Sequence, residues 1–465
     1  MTRLVISSDP FVIKAAKIEN DRLSVFLLRR KSDLPIVGNV YKGIVKNISN
    51  SLNAAFIDIG IDKNAFLCIG KQCLHSLSIS NKDLNPGDIV LVQVFKPIVS
   101  TKGPKVTTNV TIPGNFLVLL RDNEFVGISK HITDLEKAEK LKKFLKQFSD
   151  KHTGFIARTA SQFASFDDLK KEIDYLKKVN ENITNTAKVK DAPSLIYEEP
   201  QLPIKVIREY CDTLTSEIII DDKKTYTSVK EYMHNINNKC SKKIKLYDNK
   251  IPIFKYLRIE KDIKSLESNT IVLKNGGYII IEKTEALFAI DVNSGNYNYD
   301  NEAEDAIFDI NKEAAYEIFN QIVLRDLGGL IVIDFIDMKS EKHKKELEEI
   351  LKKLIEKDRR KMHVSKISEF GLVEISRRKS DNDIFDEMFD KCEGCLNSGL
   401  VKGLALVCSE IYEKIKYGDG NMFKLSATAS VIEYMKEKVG SMNNKLVYET
   451  IAGCNAEDYT LEVLK

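Results

Sequence analysis

The chain has 465 residues, 43% of them hydrophobic and 30% charged, enough for several domains with buried cores. Seventy-one basic against 68 acidic residues leave a net charge of +3, which excludes a bulk polycation and requires any polyanion-binding surface to be local. No run of about 18 apolar residues exists to span a bilayer. The start, MTRLVISSDPFVIKAAKIEN, lacks the apolar stretch and small-residue cleavage site of a secretory signal, so a soluble, cytoplasmic protein is expected.

Residues 1–36 hold short apolar runs, among them Leu23 to Leu28, that read as strands. From Gly38 the segments VYKGIVKNI, SLNAAFIDIG, KNAFLCIG and, after Asn-Pro-Gly, DIVLVQVF alternate with turn residues and suggest a small all-β barrel. From about residue 131 the chain becomes lysine-rich and helical in ITDLEKAEKLKKFLKQF. After the short apolar segment GFIARTA a second helix follows in FDDLKKEIDYLKKVNENI, with Leu169, Ile173, Tyr175 and Leu176 on one face. AKVKDAPSL and EEPQLP read as a linker or turn region.

Beyond about residue 267, GGYIIIEKTEALFAIDVNSG reads as two strands joined by a polar turn. NEAEDAIFDINKEAAYEIFNQIVLRDLGG reads as a long helix closed by Gly328 and Gly329. GLIVIDFIDM has the continuous apolar texture of a strand buried on both faces. EKHKKELEEILKKLIEKDRRK is an amphipathic helix whose Leu347, Ile350, Leu351, Leu354 and Ile355 share a face. Strand–helix–strand–helix order predicts an α/β layer here.

Asp291 ends the run ALFAI and Asp334 ends GLIVI. In one sheet their carboxylates would emerge at the same edge, where sites in α/β sheets collect. Two hard oxygen ligands with water completing the shell suit Mg²⁺, although oxygen ligands accept Mn²⁺ too. Asn293 would point to the same side of its strand, and Asp337 is a further acid nearby. The plainer reading is that both aspartates cap the turns that follow them. Among eight cysteines, Cys68, Cys73, Cys211, Cys240, Cys408 and Cys454 are scattered and expected as small apolar residues. Only Cys392 and Cys395 stand close enough to grip one metal.

AIDVNSG, RDLGGLIVIDFIDM, EKDRRK and ISEFGLVEISRR, in this order, resemble the catalytic core of the ribonuclease E/G family. The C-terminal ALVCSEIYEKIKYGDGNMFKLSATASVIEYMK resembles its ribonuclease G branch. The resemblance covers nearly the whole chain and is weakest over about residues 1–36 and 178–240. It implies a multidomain α/β protein: an RNase H-like subdomain from 1–36 and 204–266, with an OB-fold at 37–117 and a 5′-sensor at 118–203 inserted in it. A DNase I-like catalytic domain at 267–390, a zinc-link at 391–400 and a small C-terminal domain at 401–465 follow.

The same resemblance implies an endoribonuclease that hydrolyses single-stranded, AU-rich RNA and leaves a 5′-phosphate, in rRNA and tRNA processing and mRNA decay. Asp291 and Asp334 match its magnesium-binding aspartates, one ion per active site, and Asn293 the adjacent asparagine. Phe56 and Phe66, in VYKGIVKNISNSLNAAFIDIGIDKNAFL, match aromatics that contact RNA; as residues alone they could equally be barrel core. Arg158 and Thr159 match the pair that senses a 5′-monophosphate, where the unaided reading is an ordinary surface arginine on a strand. Lys361 stands where the family places another basic contact to that phosphate, but a lysine lacks an arginine's bidentate fork.

By the same resemblance, Cys392 and Cys395 would hold a Zn²⁺ shared between two chains, linking a homodimer that pairs again into a homotetramer. Glu393 and Asn397 depart from the family's CPxCxGxG pattern there, while Gly399 is retained, and a redox CxxC is the competing reading. No long Pro/Arg-rich tail follows, so a degradosome-scaffold role is not expected. The alternatives are a non-catalytic RNA-binding or ribosome-assembly factor and a metal-dependent DNase.

Overall fold

The computed structural model describes residues 1–32, 36–69, 84–96, 103–211, 214–236, 243–295, 303–358, 360–379, 383–392, 399–453 and 455–464. They form two compact units: 1–33, 216–223 and 245–465 make the first, 34–215 and 224–244 the second.

In the second unit, strands Val40–Ser49, Ala54–Asp58, Ala65–Cys68, Lys105–Thr107 and Ile89–Lys96 pair in that order, and the last returns to the first, closing a small barrel. Its interior follows from alternation: Ala55, Ile57, Ala65, Leu67, Val92, Val94 and Val106 are buried inside. Closure needs Gly43, because a Cβ there would meet Ile57 Cγ2 at 2.5 Å. The stretch read as linker is structured: the second helix runs on to Val189, and strand Ser194–Tyr197 adds to the barrel beside Val40–Ser49. Its Ile196 is apolar and buried, a signal too short to separate from a turn by pattern alone.

A four-stranded sheet, Val126–Ile128, Thr153–Ala157, Leu117–Arg121 and Thr111–Pro113, carries helices Leu135–Lys146 and Phe166–Val189. Ser165 and Asp168 form a reciprocal capping box that starts the longer helix. Leu169, Ile173 and Leu176 are fully buried beneath it, and Tyr175 is half-buried at the margin of that face.

In the first unit, one hydrophobic core joins three sheets. The first has five strands, Ile244–Leu246, Thr215–Ile220, Thr2–Ser8, Val12–Glu19 and Arg22–Arg30. A six-stranded sheet orders Thr270–Val272, Tyr278–Lys283, Leu287–Asn293, Gly329–Asp334, Leu372–Arg377 and Met362–Val364. A three-stranded C-terminal sheet of Leu446–Thr450, Met422–Ala427 and Tyr459–Leu464 packs with helices Leu404–Tyr417 and Ala429–Val439. Cys408 is buried in this core as expected, whereas Cys211 is half-buried and Cys68 is disulfide-bonded rather than a buried apolar residue. Among the described residues no helix is long and apolar enough to cross a membrane.

Helices Ala303–Leu324 and Glu341–Ile355 cover one face of the six-stranded sheet, contributing Ile310, Ala314, Ile318, Ile322, Leu347, Leu351 and Leu354 to the core. The run GLIVID is therefore not buried on both faces: Ile331 and Ile333 are fully buried, but Leu330 is 41% exposed. Only the pairing of Leu287–Asn293 with Gly329–Asp334 is parallel; the other four are antiparallel, and antiparallel sheets are commonly covered on one side.

The end of helix Ala303–Leu324 also departs from expectation. Asp326, at φ 54°, takes the left-handed position, with Leu327 N donating to Ile322 O and Asp326 N to Val323 O. This is a Schellman closure without glycine. The carboxylate explains the choice: Asp326 Oδ1 accepts from Arg377 Nη1 at 2.9 Å and its Oδ2 from Arg360 Nη2 at 3.0 Å. Arg377 also donates to Leu327 O and, through Nε at 2.6 Å, to Asp358. Burial opposes the Arg377 charge, but Asp358 and Asp326 outweigh it and raise its pKa. Removing one member leaves buried charge uncompensated, so Arg377→Met is expected to cost about 3–5 kcal/mol in urea unfolding.

Candidate active site

Strands Leu287–Asn293 and Gly329–Asp334 run parallel with Asp291 directly opposite Asp334. Phe288, Ile290 and Val292 point into the core, as do Ile331 and Ile333, so alternation sends Asp291, Asn293 and Asp334 to the open face. Both carboxylates are exposed, and Asn293 Nδ2 donates to Asp291 Oδ2 at 2.8 Å. Partial burial and the negative charges of Asp291 and Asp337 together raise the Asp334 pKa. A cation relieves that repulsion. Among the described residues no group of three His, Cys, Asp or Glu side chains is disposed to hold a metal. Two oxygen-donor carboxylates on an open face would suit an ion that keeps several waters, such as Mg²⁺.

The turn that follows Asp334 is pinned by residues the sequence reading missed. Asn311, fully buried on helix Ala303–Leu324, donates through Nδ2 to Ile336 O at 2.8 Å and accepts from Ile336 N at 3.0 Å. Glu304 Oε1 accepts from Lys339 N and Ser340 N, holding the entry to the next helix. The signal for Asn311 was present: it falls on the helical face of Ala314, Ala315 and Ile318, where an amide needs a partner.

On the barrel, Phe56 and Phe66 are half-buried and opposite one another, with ring centroids 6.0 Å apart at 83°. Their strand neighbours Ala55, Ile57, Ala65 and Leu67 fill the interior, so both rings lie on the outer surface. Lys105 Nζ stands 5.6 Å from the Phe66 centroid. Arg158, which follows strand Thr153–Ala157, is half-buried and donates through Nη1 to Gly114 O at 2.6 Å. Burial pushes its guanidinium below the usual value. Thr159 Oγ1 lies 3.0 Å from Ser129 Oγ.

Residues 111–380 match the Ribonuclease E/G family. Ribonuclease G of Haemophilus influenzae is 33% identical over 448 residues, covering 93% of this chain and 91% of that protein. Ribonuclease G of Escherichia coli K12 is 32% identical, covering 93% of this chain and 92% of that protein. Ribonuclease E of Buchnera aphidicola subsp. Schizaphis graminum is 34% identical over 84% of this chain, but over 41% of its own length. The chain belongs to the ribonuclease E/G family.

The remaining residues of this ribonuclease E/G chain are distributed as follows. Lys361 is exposed in the first unit just before strand Met362–Val364, whereas Arg158 and Thr159 belong to the second unit. Cys392 is half-buried beside the hairpin of Phe389–Lys391 and Leu400–Lys402, its N–H donating to Gly399 O at 2.9 Å. Cys395, Glu393 and Asn397 lie outside the described residues.

Behind Arg158 stands a residue that the sequence reading passed over. Glu172 shares the buried helix face of Leu169, Ile173 and Leu176 and accepts from the N–H groups of Asn115, Phe116 and Leu117 at 2.5, 2.9 and 3.0 Å. Burial pushes its pKa up to about 7, although these donors and Arg158 pull the other way. The folded state then holds a proton that the unfolded chain, near 4.5, has released. Stability of this unit is expected to fall as pH rises from about 4.5 to about 7. Thermal unfolding of the Glu172→Gln protein across that range should show a flatter pH dependence than the parent.

Proposed function

We propose that this chain is an endoribonuclease that hydrolyses single-stranded, AU-rich RNA at the Asp291–Asp334 site with Mg²⁺. It leaves a 5′-phosphate and prefers 5′-monophosphorylated RNA, and its role is in rRNA and tRNA processing and mRNA decay. The observation that carries the reading is the in-register pair of exposed aspartates inside the segment that matches the ribonuclease E/G family. The names of the full-length relatives, Ribonuclease G, support the substrate class.

Asp291 and Asp334 would hold the ion between neighbouring strands. When bound, magnesium supplies charge stabilisation at the phosphoryl oxygens and acidification of water. Asn293 keeps Asp291 oriented through its 2.8 Å hydrogen bond. Water adds to phosphorus in line with the departing 3′ oxygen; that bond breaks, so the upstream product ends in a 3′ hydroxyl and the downstream product begins with the phosphate. Asn311 holds the turn between Asp334 and Asp337 rigid while charge develops.

The barrel is read as an OB-fold that stacks bases on Phe56 and Phe66 and draws the backbone to Lys105. In this reading Arg158 and Thr159 form the 5′-phosphate sensor. The RNase H-like and DNase I-like descriptions of the two larger sheets of the first unit belong to the same proposal, as does a Zn²⁺ held by Cys392 and Cys395 of two chains in a homodimer that pairs into a homotetramer.

The test uses a short AU-rich RNA carrying a 5′-monophosphate or a 5′-hydroxyl, with Mg²⁺ or EDTA. Internal cleavage is expected only with Mg²⁺, faster on the monophosphate, and at least about a hundredfold slower for Asp334→Asn. Cleavage by Asp334→Asn at the parent rate would overturn the active-site assignment, and equal rates on the two RNAs would overturn the sensor. Tight RNA binding by intact protein without cleavage would turn the reading to an RNA-binding factor. Phe56→Ala should weaken RNA binding by about 1–3 kcal/mol in a filter or anisotropy titration, with circular dichroism unchanged because the ring lies outside the barrel core.

A further inference from the structure

Phe370 is 85% exposed. Single exposed apolar side chains are ordinary on protein surfaces; this one is set apart by what holds its turn. Ser368 N donates to Leu372 O at 2.9 Å, Gly371 N to Ser368 O at 3.0 Å, and Leu372 N to Ser368 Oγ at 3.1 Å. Ile367 N is tied to Glu348 Oε1 on helix Glu341–Ile355 at 3.0 Å. The backbone on both sides of Phe370 is thus fixed, while its ring is left to solvent.

That fixed turn abuts the proposed active site. Leu372 is the residue directly opposite Asp334 across strands Leu372–Arg377 and Gly329–Asp334. Gly371, at φ +78°, lets the turn close on Asp337: a Cβ there would stand 3.2 Å from Asp337 Oδ1. Two Cα steps and one strand spacing put the Phe370 Cα at most about 13 Å from that of Asp334. A phenyl ring at this range reaches a base adjacent to, or one removed from, a phosphate held at the aspartates. Lys366, on the same loop, and Lys339, after Asp337, are exposed cations on the flanking backbone.

We propose that Phe370 is a base-stacking platform for a nucleotide next to the scissile phosphate, so that the catalytic sheet itself grips the RNA independently of the barrel. The proposal rests on the endoribonuclease reading. Stacking on a preorganised ring tolerates any base and holds the strand in register with the aspartates, a role for which a mobile or buried phenylalanine would be unsuited.

The experiment compares the full-length parent, Phe370→Ala and Phe370→Trp on a single-site RNA and on copies with one abasic nucleotide placed in turn at each position flanking the cut. Phe370→Ala should lower kcat/KM by roughly 5- to 150-fold on the intact RNA. It should equal the parent on the one RNA whose abasic position removes the stacked base, and Phe370→Trp should retain activity. In EDTA, 2-aminopurine at that position should lose fluorescence on binding the parent and not on binding Phe370→Ala. Unchanged kcat/KM for Phe370→Ala, or an equal loss on every abasic RNA, overturns the proposal. So does a change of oligomeric state in size-exclusion chromatography with cleavage intact, which would mark the ring as a contact between copies. A parent protein that leaves all RNAs uncut overturns the reading beneath it, and is distinguished by failing before any variant is compared.

Discussion

Asp291 and Asp334 repel each other, and much of the first unit is built to hold that repulsion in place. Their register comes from main-chain bonds between parallel strands, which do not depend on the charges they carry. At the start of the second strand, Arg377, Arg360, Asp326 and Asp358 lock the helix end to the sheet. At its finish, Asn311 replaces a strand partner for Ile336. A strand fastened at both ends cannot slide to separate two like charges, and a slip of one residue would turn Asp334 into the core. Partial burial and the charges of Asp291 and Asp337 leave the Asp334 pKa raised, and a cation placed there would offset the repulsion.

The second unit solves a different problem with similar means. Its barrel interior is filled by small and branched side chains, Ala55, Ile57, Ala65 and Leu67, which leaves the larger rings of Phe56 and Phe66 no room except outside. In the neighbouring sheet a buried carboxylate, Glu172, collects three backbone donors from the turn at Asn115, Phe116 and Leu117, and Arg158 leans on Gly114 of the same turn. The Arg158 guanidinium is thus tied to a backbone carbonyl of that turn, with the charges of Glu209 and Glu172 favouring its protonated form against burial.

Most elements were legible because their periodicities were strong. The helix of Leu347, Leu351 and Leu354 and the strand pair around Thr284 are such cases. Misreadings arose where a local pattern met a tertiary partner. GLIVID looked doubly buried because apolar texture does not reveal that helices cover one face only. Gly328 and Gly329 looked like the helix stop, but Asp326 takes the left-handed position since two arginines distant in sequence receive its carboxylate. Ser194–Tyr197 looked like linker because it becomes a strand only by pairing with Val40–Ser49.

By itself the sequence determined the order of elements, the motif string that marks the family, and the candidate acids at the ends of two apolar runs, because these depend on residue identity and on spacing within short segments. Tertiary structure alone decided that Asp291 and Asp334 stand side by side, that Phe56 and Phe66 face outward, that Asn311 and Glu172 are anchors, and that Phe370 remains in solvent beside the aspartates. Each of these is a relation between residues far apart in the chain. Such a relation is fixed by strand register and by the satisfaction of buried polar groups, which no local pattern encodes.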